Sequence, residues 1–225
     1  METKTQIAIV EDEKEVREHL AELINAQADF ECLWTYKRPD DAISFLPHKD
    51  VQIVIMDIEL KSQKDGIQVI RELKPKFDEQ FLRNPSKPQT MFIMNTIWDS
   101  RDKLFESLKA GASGYILKND PKEKIIEALR DVRNGGAPIS PAIARYLLDL
   151  FPTLPDSSIE IATLTQTENK VLKLLARGLS NQKIAEELGG PSVGVVKIHC
   201  HHIYEKLHVR NRTEAAAVYL AKQKV

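Results

Sequence analysis

The chain has 225 residues and a formal net charge of −1 at neutral pH, with 42% hydrophobic and 29% charged residues. This length allows one large domain or two small ones. No run of about 18 consecutive apolar residues occurs, which excludes an apolar membrane-spanning helix. The first four residues lead into a strand pattern instead of the apolar core of a signal peptide, so we expect a soluble, cytoplasmic protein with no membrane partner.

Charge divides the chain into two parts. Residues 1–160 contain 22 basic and 28 acidic side chains, whereas residues 161–225 contain ten basic and five acidic ones. This asymmetry predicts two domains, the first with a metal or phosphate site and the second with a polyanionic partner such as nucleic acid. Cys32 and Cys200 fall in different predicted domains, and we expect both to be reduced thiols.

The first 134 residues alternate between short apolar runs, which predict strands, and amphipathic segments, which predict helices. The predicted strands are residues 6–10, 31–36, 51–56, 90–94 and 114–117. The predicted helices are residues 14–25, 39–46, 66–77, 99–110 and 121–134. Five strands in alternation with five helices predict an α/β fold in which a doubly wound, five-stranded parallel sheet is covered on both faces. Residues 75–88 read as an insertion of unassigned function.

Glycine and proline mark the predicted domain limits. Asn134-Gly135-Gly136 ends the fifth helix, and four prolines follow between residues 138 and 155. We therefore predict a first domain at 1–134, a linker at 135–160 with room for a short helix at 142–151, and a smaller all-helical domain at 161–225.

Acidic residues end two of the predicted strands. Glu11 and Asp12 follow the first apolar run, and Asp57 follows the third. A single Asp after a strand is commonly structural, because the next turn needs a polar residue. Two such strands would bring three carboxylates together at the carboxyl edge of the sheet, where a divalent cation such as Mg²⁺ can relieve their repulsion. Both readings stay open on this pattern alone.

A hydroxyl and a cation are predicted at the same edge. Thr96 lies just beyond the fourth strand and Lys118 ends the fifth. Together with the carboxylates and Mg²⁺, they form a sensible site for transfer of a phosphoryl group to Asp57. Lys118 would neutralise phosphoryl oxygens, and Thr96 could donate a hydrogen bond to one of them.

These motifs resemble the receiver domain of bacterial response regulators over about residues 5–131. The matching segments are Ile9-Val10-Glu11-Asp12, Met56-Asp57-Ile58, Asp65-Gly66, Thr96 and Lys109-Ala110-Gly111-Ala112-Ser113-Gly114-Tyr115-Ile116-Leu117-Lys118. The resemblance implies a flavodoxin-like sheet of order 2-1-3-4-5. It also implies that a histidine kinase phosphorylates Asp57, that Thr96 and Tyr115 form a switch pair, and that Lys118 contacts the phosphoryl group. The implied Mg²⁺ ligands are Glu11, Asp12, Asp57 and the backbone carbonyl of Glu59.

Two departures from the receiver pattern lie beside Asp57. Lys61 stands where the family usually has proline, which loosens the following loop. Ile97-Trp98 follows Thr96 where a small residue normally comes first. We hypothesise that this bulk restricts the access of water or a phosphatase to Asp57.

The last 65 residues predict helices only. Thr165 and Glu168 form a capping box, and Ser180 and Ser192 cap two further helices. A short helix, a tight turn and a longer helix predict a helix-turn-helix unit, although a generic helical bundle gives a similar pattern. The longer helix is predicted to bury residues 196, 200, 203 and 207.

Particular residues in this part resemble the LuxR-type DNA-binding domain. They are Leu164-Thr165, Glu168, Gly178-Leu179-Ser180-Asn181, Ile184-Ala185, Leu188, Val196-Lys197-Ile198-His199 and Lys206-Leu207. The whole chain then resembles NarL/FixJ-type response regulators. This resemblance implies DNA contacts by Lys197, Ile198 and His201, and a homodimer in the active state.

Three functions follow from these patterns. The leading one is a non-enzymatic, two-component transcription factor whose DNA binding is switched by phosphorylation of Asp57. The second is a phosphorylation-independent regulator or adaptor with a degenerate receiver. The third is a hydrolase that turns over a phosphoryl group on Asp57.

Overall fold

The first part of the protein is a five-stranded parallel sheet covered by helices on both faces. The computed structural model describes residues 4–84, 87–97, 101–136, 138, 164–207, 209 and 212–222. The strand order is β2-β1-β3-β4-β5. The strands are β1 (Thr5–Val10), β2 (Phe30–Tyr36), β3 (Ile53–Asp57), β4 (Met91–Thr96) and β5 (Gly114–Leu117). The predicted fold class and strand order are therefore confirmed.

Five helices connect or follow these strands. They are α1 (Lys14–Asn25), α2 (Pro39–Phe45), α3 (Gly66–Arg83), α4 (Arg101–Ala110) and α5 (Lys122–Arg133). A short 3₁₀ turn at Leu46–His48 follows α2. Apart from the end of α3, the predicted boundaries of strands and helices agree with the observed ones within two residues.

The sheet has apolar residues on both faces because helices cover each side. Ile7 and Ile9 of β1 belong to one hydrophobic cluster, and Ala8 and Val10 belong to the other. This arrangement requires nearly continuous apolar strands, as expected of a parallel sheet between two helical layers. Because the strands are apolar on both faces, polar groups of the sheet are found mainly at the strand ends.

Helix α3 departs from the sequence-based prediction. We predicted that it would end at Phe77, but it continues through Pro75 to Arg83. Proline inside a helix costs roughly 3 kcal/mol because it removes a backbone donor and crowds the preceding turn. The buried stripe continues past the proline at Phe77 and Phe81, and each buried ring contributes roughly 1.5–3 kcal/mol. The predicted end of the helix at Phe77 was wrong, because the apolar stripe continues past the proline; the interpretation of residues 75–88 as an insertion stays a prediction.

The C-terminal part contains four helices in the described residues. They are α6 (Gln166–Ala176), α7 (Asn181–Glu187), α8 (Val193–Lys206) and α9 (Arg212–Lys222). Thr165, Ser180 and Ser192 cap α6, α7 and α8 as predicted, each accepting a backbone hydrogen bond from the first turn. The four residues predicted to be buried along α8, at positions 196, 200, 203 and 207, are at most 5% exposed. This agreement confirms the helix-turn-helix pattern.

The predicted linker lies almost wholly outside the described residues. Of positions 135–160, the structure describes Gly135, Gly136 and Pro138, so the short helix at 142–151 and the domain limits remain predictions. Cys32 and Cys200 are free cysteines, as expected. Within the described ranges, no helix is both long and apolar enough to cross a membrane.

Candidate functional site

The two-residue repeat of the strands places the polar groups of the first domain at one edge of the sheet. Ile7 and Ile9 are followed by Glu11, and Ile53 and Ile55 are followed by Asp57, each at the two-residue spacing of a strand face. Parallel pairing aligns Ile9 with Ile55, so the two acids that follow lie at the same end of the sheet. The apolar pattern therefore carries both carboxylates to the carboxyl edge.

Lys118 bridges these two carboxylates. Its Nζ lies 2.8 Å from Glu11 Oε2 and 3.0 Å from Asp57 Oδ2, and the Glu11 and Asp57 side chains are almost fully buried. Burial raises the pKa of Glu11, an effect that the Lys118 ammonium opposes in part and the Asp57 charge reinforces. Burial alone would lower the pKa of Lys118, but its bonds to Glu11 and Asp57 raise it above the usual value. The Lys118 ammonium therefore stays charged between the two carboxyl groups.

The acidic cluster fits a divalent cation. Carboxylate oxygens of Glu11, Asp12 and Asp57 all lie within 4.8 Å of one another, a cluster found by searching the described residues. Asp12 Oδ1 is buried and has no hydrogen-bond partner among those residues. An oxygen buried without a donor needs a positive partner, and three carboxylates are the donor set that Mg²⁺ prefers. The predicted residues therefore come together in a suitable arrangement.

Glu59 closes another side of the site. Its backbone N–H donates a hydrogen bond of 3.2 Å to Asp57 Oδ1, which holds the carboxylate in place. Its side chain accepts a hydrogen bond of 2.7 Å from Lys103 of α4. The role of the Glu59 carbonyl as a metal ligand stays a prediction.

Gly66 permits the close packing of α3 against the end of β3, at Asp57. A Cβ atom at this position would lie 1.9 Å from the Asp57 carbonyl oxygen. Asp65 caps α3 through a capping box with Gln68, so the helix begins directly beside the site. The backbone around Asp57 therefore requires glycine at position 66, and Asp65 fixes the start of the helix.

Thr96 and Tyr115, the predicted switch pair, are both buried. The Thr96 hydroxyl donates a hydrogen bond of 3.0 Å to the Ile97 carbonyl instead of facing Asp57. The Tyr115 ring is 8% exposed and belongs to the hydrophobic cluster on one face of the sheet. Although β5 is an edge strand of the sheet, packing against this cluster keeps the ring buried. The switching role of the pair stays a prediction.

The two departures from the receiver pattern have different surroundings. Lys61 Nζ lies 2.9 Å from Glu13 Oε1, which ties the loop after β3 to the start of α1. This exposed ion pair is a weaker restraint on the loop than proline would be. The Ile97 side chain is 57% exposed. Trp98 lies outside the described residues, so the hypothesis on solvent access to Asp57 stays untested.

The helix predicted to contact DNA faces the first domain. His201 of α8 packs edge-on against Phe81 at the end of α3, with ring centroids 6.2 Å apart. Lys197 is half-buried, and burial lowers the pKa of its ammonium group. Ile198, the third predicted contact, is also half-buried. The predicted DNA contacts therefore share one helix, and two of them face the receiver-like domain.

Arg212 joins the two domains. Its guanidinium donates to the carbonyl oxygens of Gly135 and Leu179, and to Asn181 Oδ1 at 2.9 Å. The Asn181 backbone N–H donates a hydrogen bond of 3.2 Å to the carbonyl of Asn134. These bonds connect the end of α5 to the starts of α7 and α9.

Sequence reasoning missed the groups whose partners are distant in the chain. Lys103 and Glu59 are 44 residues apart, and Phe81 is 120 residues from His201. No local motif marks Lys103, Phe81 or Arg212. A continued apolar stripe in α3 was the one available signal for Phe81.

Comparison with known proteins agrees with this geometry. Residues 7–130 match the response regulator receiver domain, and residues 162–219 match the bacterial regulatory proteins of the luxR family. The chain belongs to the response regulators of two-component systems, of the NarL/FixJ type, with a receiver and a LuxR-type DNA-binding domain. This family consists of transcription factors and not of enzymes, so the hydrolase alternative is wrong.

Similar proteins share nearly the whole length. The oxygen regulatory protein NreC of Staphylococcus carnosus is 29% identical over 97% of this chain and 98% of its own. The transcriptional regulatory protein DesR of Bacillus subtilis is 32% identical over 93% of each chain. A solved structure of two RcsB dimers bound to two parallel DNAs covers 97% of this chain and 98% of that one, with 21% identity and a TM-score of 0.52. The similarity to the RcsB structure supports a shared fold and nothing further.

Proposed function

We propose that phosphorylation of Asp57 by a histidine kinase, with Mg²⁺ held by Glu11, Asp12, Asp57 and the Glu59 carbonyl, switches DNA binding by α8. The observation that carries the proposal is the buried Asp57 carboxylate held against Lys118 within an acidic cluster. A buried carboxylate fixed by a cation and a backbone N–H is oriented for nucleophilic attack. A solvated aspartate at a strand end would lack this orientation.

The chemistry at Asp57 needs little more than positioning and charge. An oxygen lone pair of Asp57 attacks the phosphorus of a phosphohistidine, the P–N bond breaks, and the imidazole leaves with its electron pair and takes up a proton. Bound Mg²⁺ supplies positive charge to the phosphoryl oxygens. Lys118 neutralises further negative charge, and the Thr96 hydroxyl turns from the Ile97 carbonyl to the new acceptor.

Phosphorylation of Asp57 can control DNA binding because the first domain covers α8. Lys197 and His201 face the first domain in the present conformation, so a DNA duplex cannot reach them. Phosphorylation of Asp57 adds about two negative charges and shifts the population toward chains in which α8 is free. Lys197, Ile198 and His201 then contact the major groove.

We further propose that the active protein is a cytoplasmic homodimer. A helix-turn-helix dimer reads two half-sites and gains affinity from both. RcsB, with which this chain shares its fold, binds DNA as dimers. Two departures from the family pattern, Thr167 for a frequent Arg and Val195 for a frequent Thr, remove a cation and a hydroxyl and should weaken phosphate contacts. A second half-site adds affinity that offsets this loss.

The test compares phosphorylated and unphosphorylated protein on DNA. Fragments selected from the source genome are titrated with the wild-type protein, with and without beryllofluoride and Mg²⁺, at fixed salt. We expect beryllofluoride to raise DNA affinity and Asp57→Ala to abolish the change. If no fragment binds in either state, the adaptor hypothesis replaces this one. If DNA binds equally well in both states, phosphorylation is not the switch.

A further inference from the structure

A cavity of about 310 Å³ lies between the two domains, at the edge of the sheet opposite Asp57. Thr5 and Met91, which begin β1 and β4, line one side of it. Lys197, Cys200 and Tyr204 of α8 line the other side. The cavity therefore adjoins the face of α8 that is predicted to contact DNA, and it is separate from the phosphorylation site.

The described lining of this cavity contains four basic side chains and no acidic one. Lys74 and Arg133 are neutralised outside the cavity, by Asp78 and Asp29 respectively. The other two basic residues are Lys197 and Arg212. Their charges face a shared space that no carboxylate among the described lining residues enters.

Within the part of the chain that the structure describes, neither Lys197 nor Arg212 forms an ion pair with a carboxylate. Among the described residues, no carboxylate lies within 4.0 Å of the Lys197 ammonium, and Arg212 donates its hydrogen bonds to neutral oxygens. Asp131 is close enough for the Arg212 charge to affect its pKa but forms no ion pair with it. Withdrawing cations from water without a paired anion is unfavourable. The closed arrangement of the domains therefore carries an electrostatic cost that a bound anion would remove.

The size and the polar groups of the cavity define the class of anion. Its volume is at the lower end of the range for small-molecule sites, and a DNA duplex cannot enter it. Gln89, Ser113 and Asn181 add neutral hydrogen-bonding groups to its wall. Two basic side chains that line the same cavity, together with amide and hydroxyl groups, suit phosphoryl oxygens, which accept several charge-assisted hydrogen bonds.

We propose that this cavity binds a small phosphate-bearing molecule between Lys197 and Arg212. The bound molecule contacts both domains and holds α8 against the receiver. Its effect on transcription rests on the proposed function, because only a DNA-reading α8 makes this closure inhibitory. The binding itself does not depend on phosphorylation or on DNA.

Calorimetric titration with inorganic pyrophosphate tests the site. The full-length protein is titrated in metal-depleted buffer, so that Mg²⁺-dependent binding at Asp57 does not contribute. We expect saturable binding with one pyrophosphate per chain. Lys197→Met keeps the length of the side chain and removes its charge, and it should weaken binding about tenfold because one charge-assisted contact is lost. Lys183→Met removes a charge from the exposed surface of α7 and should leave the affinity unchanged.

Three results would overturn the inference. They are the absence of saturable binding to the wild type, unchanged affinity in Lys197→Met, and equal weakening in Lys197→Met and Lys183→Met. Circular dichroism checks that each variant is folded, and Lys197→Gln replaces Lys197→Met if the latter does not fold. A DNA titration that shows no effect of beryllofluoride would refute the phosphorylation switch and leave the pyrophosphate result intact.

Discussion

Lys61 shows how one departure from the family pattern changes the surroundings of Asp57. The family usually has proline here, which limits the loop through its own backbone. In this protein, the Lys61 side chain reaches Glu13 at 2.9 Å and ties the loop to α1. Glu13 directly follows Asp12, so the ion pair borders the acidic cluster. A loop held by an ion pair of this kind opens more easily than a loop that contains proline.

We expect Lys61→Ala to shorten the lifetime of phosphorylated Asp57. An exposed ion pair is a weak restraint, so its loss increases the open population of the loop by no more than a few-fold. Water then reaches the phosphoryl group more often. The decay of radiolabelled phosphoprotein measures the rate at which phosphorylated Asp57 is hydrolysed.

Lys64→Ala is the matched control for this prediction. Lys64 lies on the same loop but pairs with Glu72 and Asp40, away from Glu13. Its removal should leave the lifetime unchanged. An unchanged lifetime in Lys61→Ala, or the same change in both variants, would show that this ion pair does not limit solvent access.

At the scale of single elements, Glu168 connects two helices of the DNA-binding domain. It closes the capping box of α6 with Thr165 and pairs with Lys206 at the end of α8, at 2.7 Å. Burial alone would raise the pKa of Glu168, but Lys206 and the Thr165 backbone N–H lower it below the usual value. The capping box is readable from sequence because its two residues are three positions apart, whereas the bond to Lys206 depends on the packing of α6 against α8.

Glu168→Gln should lower the free energy of unfolding by about 1.5–3 kcal/mol at pH 7, the magnitude of a hydrogen bond to a charged group. Glutamine keeps an acceptor for the cap but loses the charge. Because the folded-state pKa lies below the reference value of 4.5, the contribution is complete above that value and is lost as the pH falls through the folded pKa. The difference between wild type and variant should therefore shrink in acid.

Urea unfolding followed by circular dichroism at pH 7 and pH 3.5 measures this difference. Glu187→Gln, on the exposed surface of α7, serves as the control and should have little effect at either pH. A difference between wild type and Glu168→Gln that stays constant with pH would contradict the role of the charged pair.

At the scale of the whole molecule, the end of α3 holds the DNA-binding domain against the receiver. Phe81 is 4% exposed and contacts His201, whereas the adjacent Leu82 is 49% exposed. Helix α3 reaches α8 because it continues beyond Phe77. The segment that sequence reasoning left without a function therefore contributes to the contact between domains.

Phe81→Ala should raise the DNA affinity of the unphosphorylated protein about tenfold. Loss of the ring removes roughly 1.5 kcal/mol of apolar contact from the closed arrangement, and this increases the population of open chains by about that factor. Fluorescence anisotropy with a selected DNA fragment measures the affinity.

Leu82→Ala removes a similar apolar side chain from the exposed side of α3 and should not change DNA binding. The rate of Asp57 phosphorylation by acetyl phosphate checks that the receiver stays intact in both variants. Equal DNA affinity of Phe81→Ala and the wild type would mean that this contact does not restrain α8.

The sequence by itself determined the two domains, the order of their elements and the residues of the acidic cluster. These follow from local periodicity, because strands that repeat every two residues and parallel connections carry Glu11, Asp57 and Lys118 to the same edge. Only the tertiary structure decided the length of α3, the Lys61 to Glu13 pair and the contact of α8 with the receiver. Each of these features depends on contacts between groups that are distant in the chain. Such contacts form, and contribute free energy, only when the surfaces that carry these groups pack together.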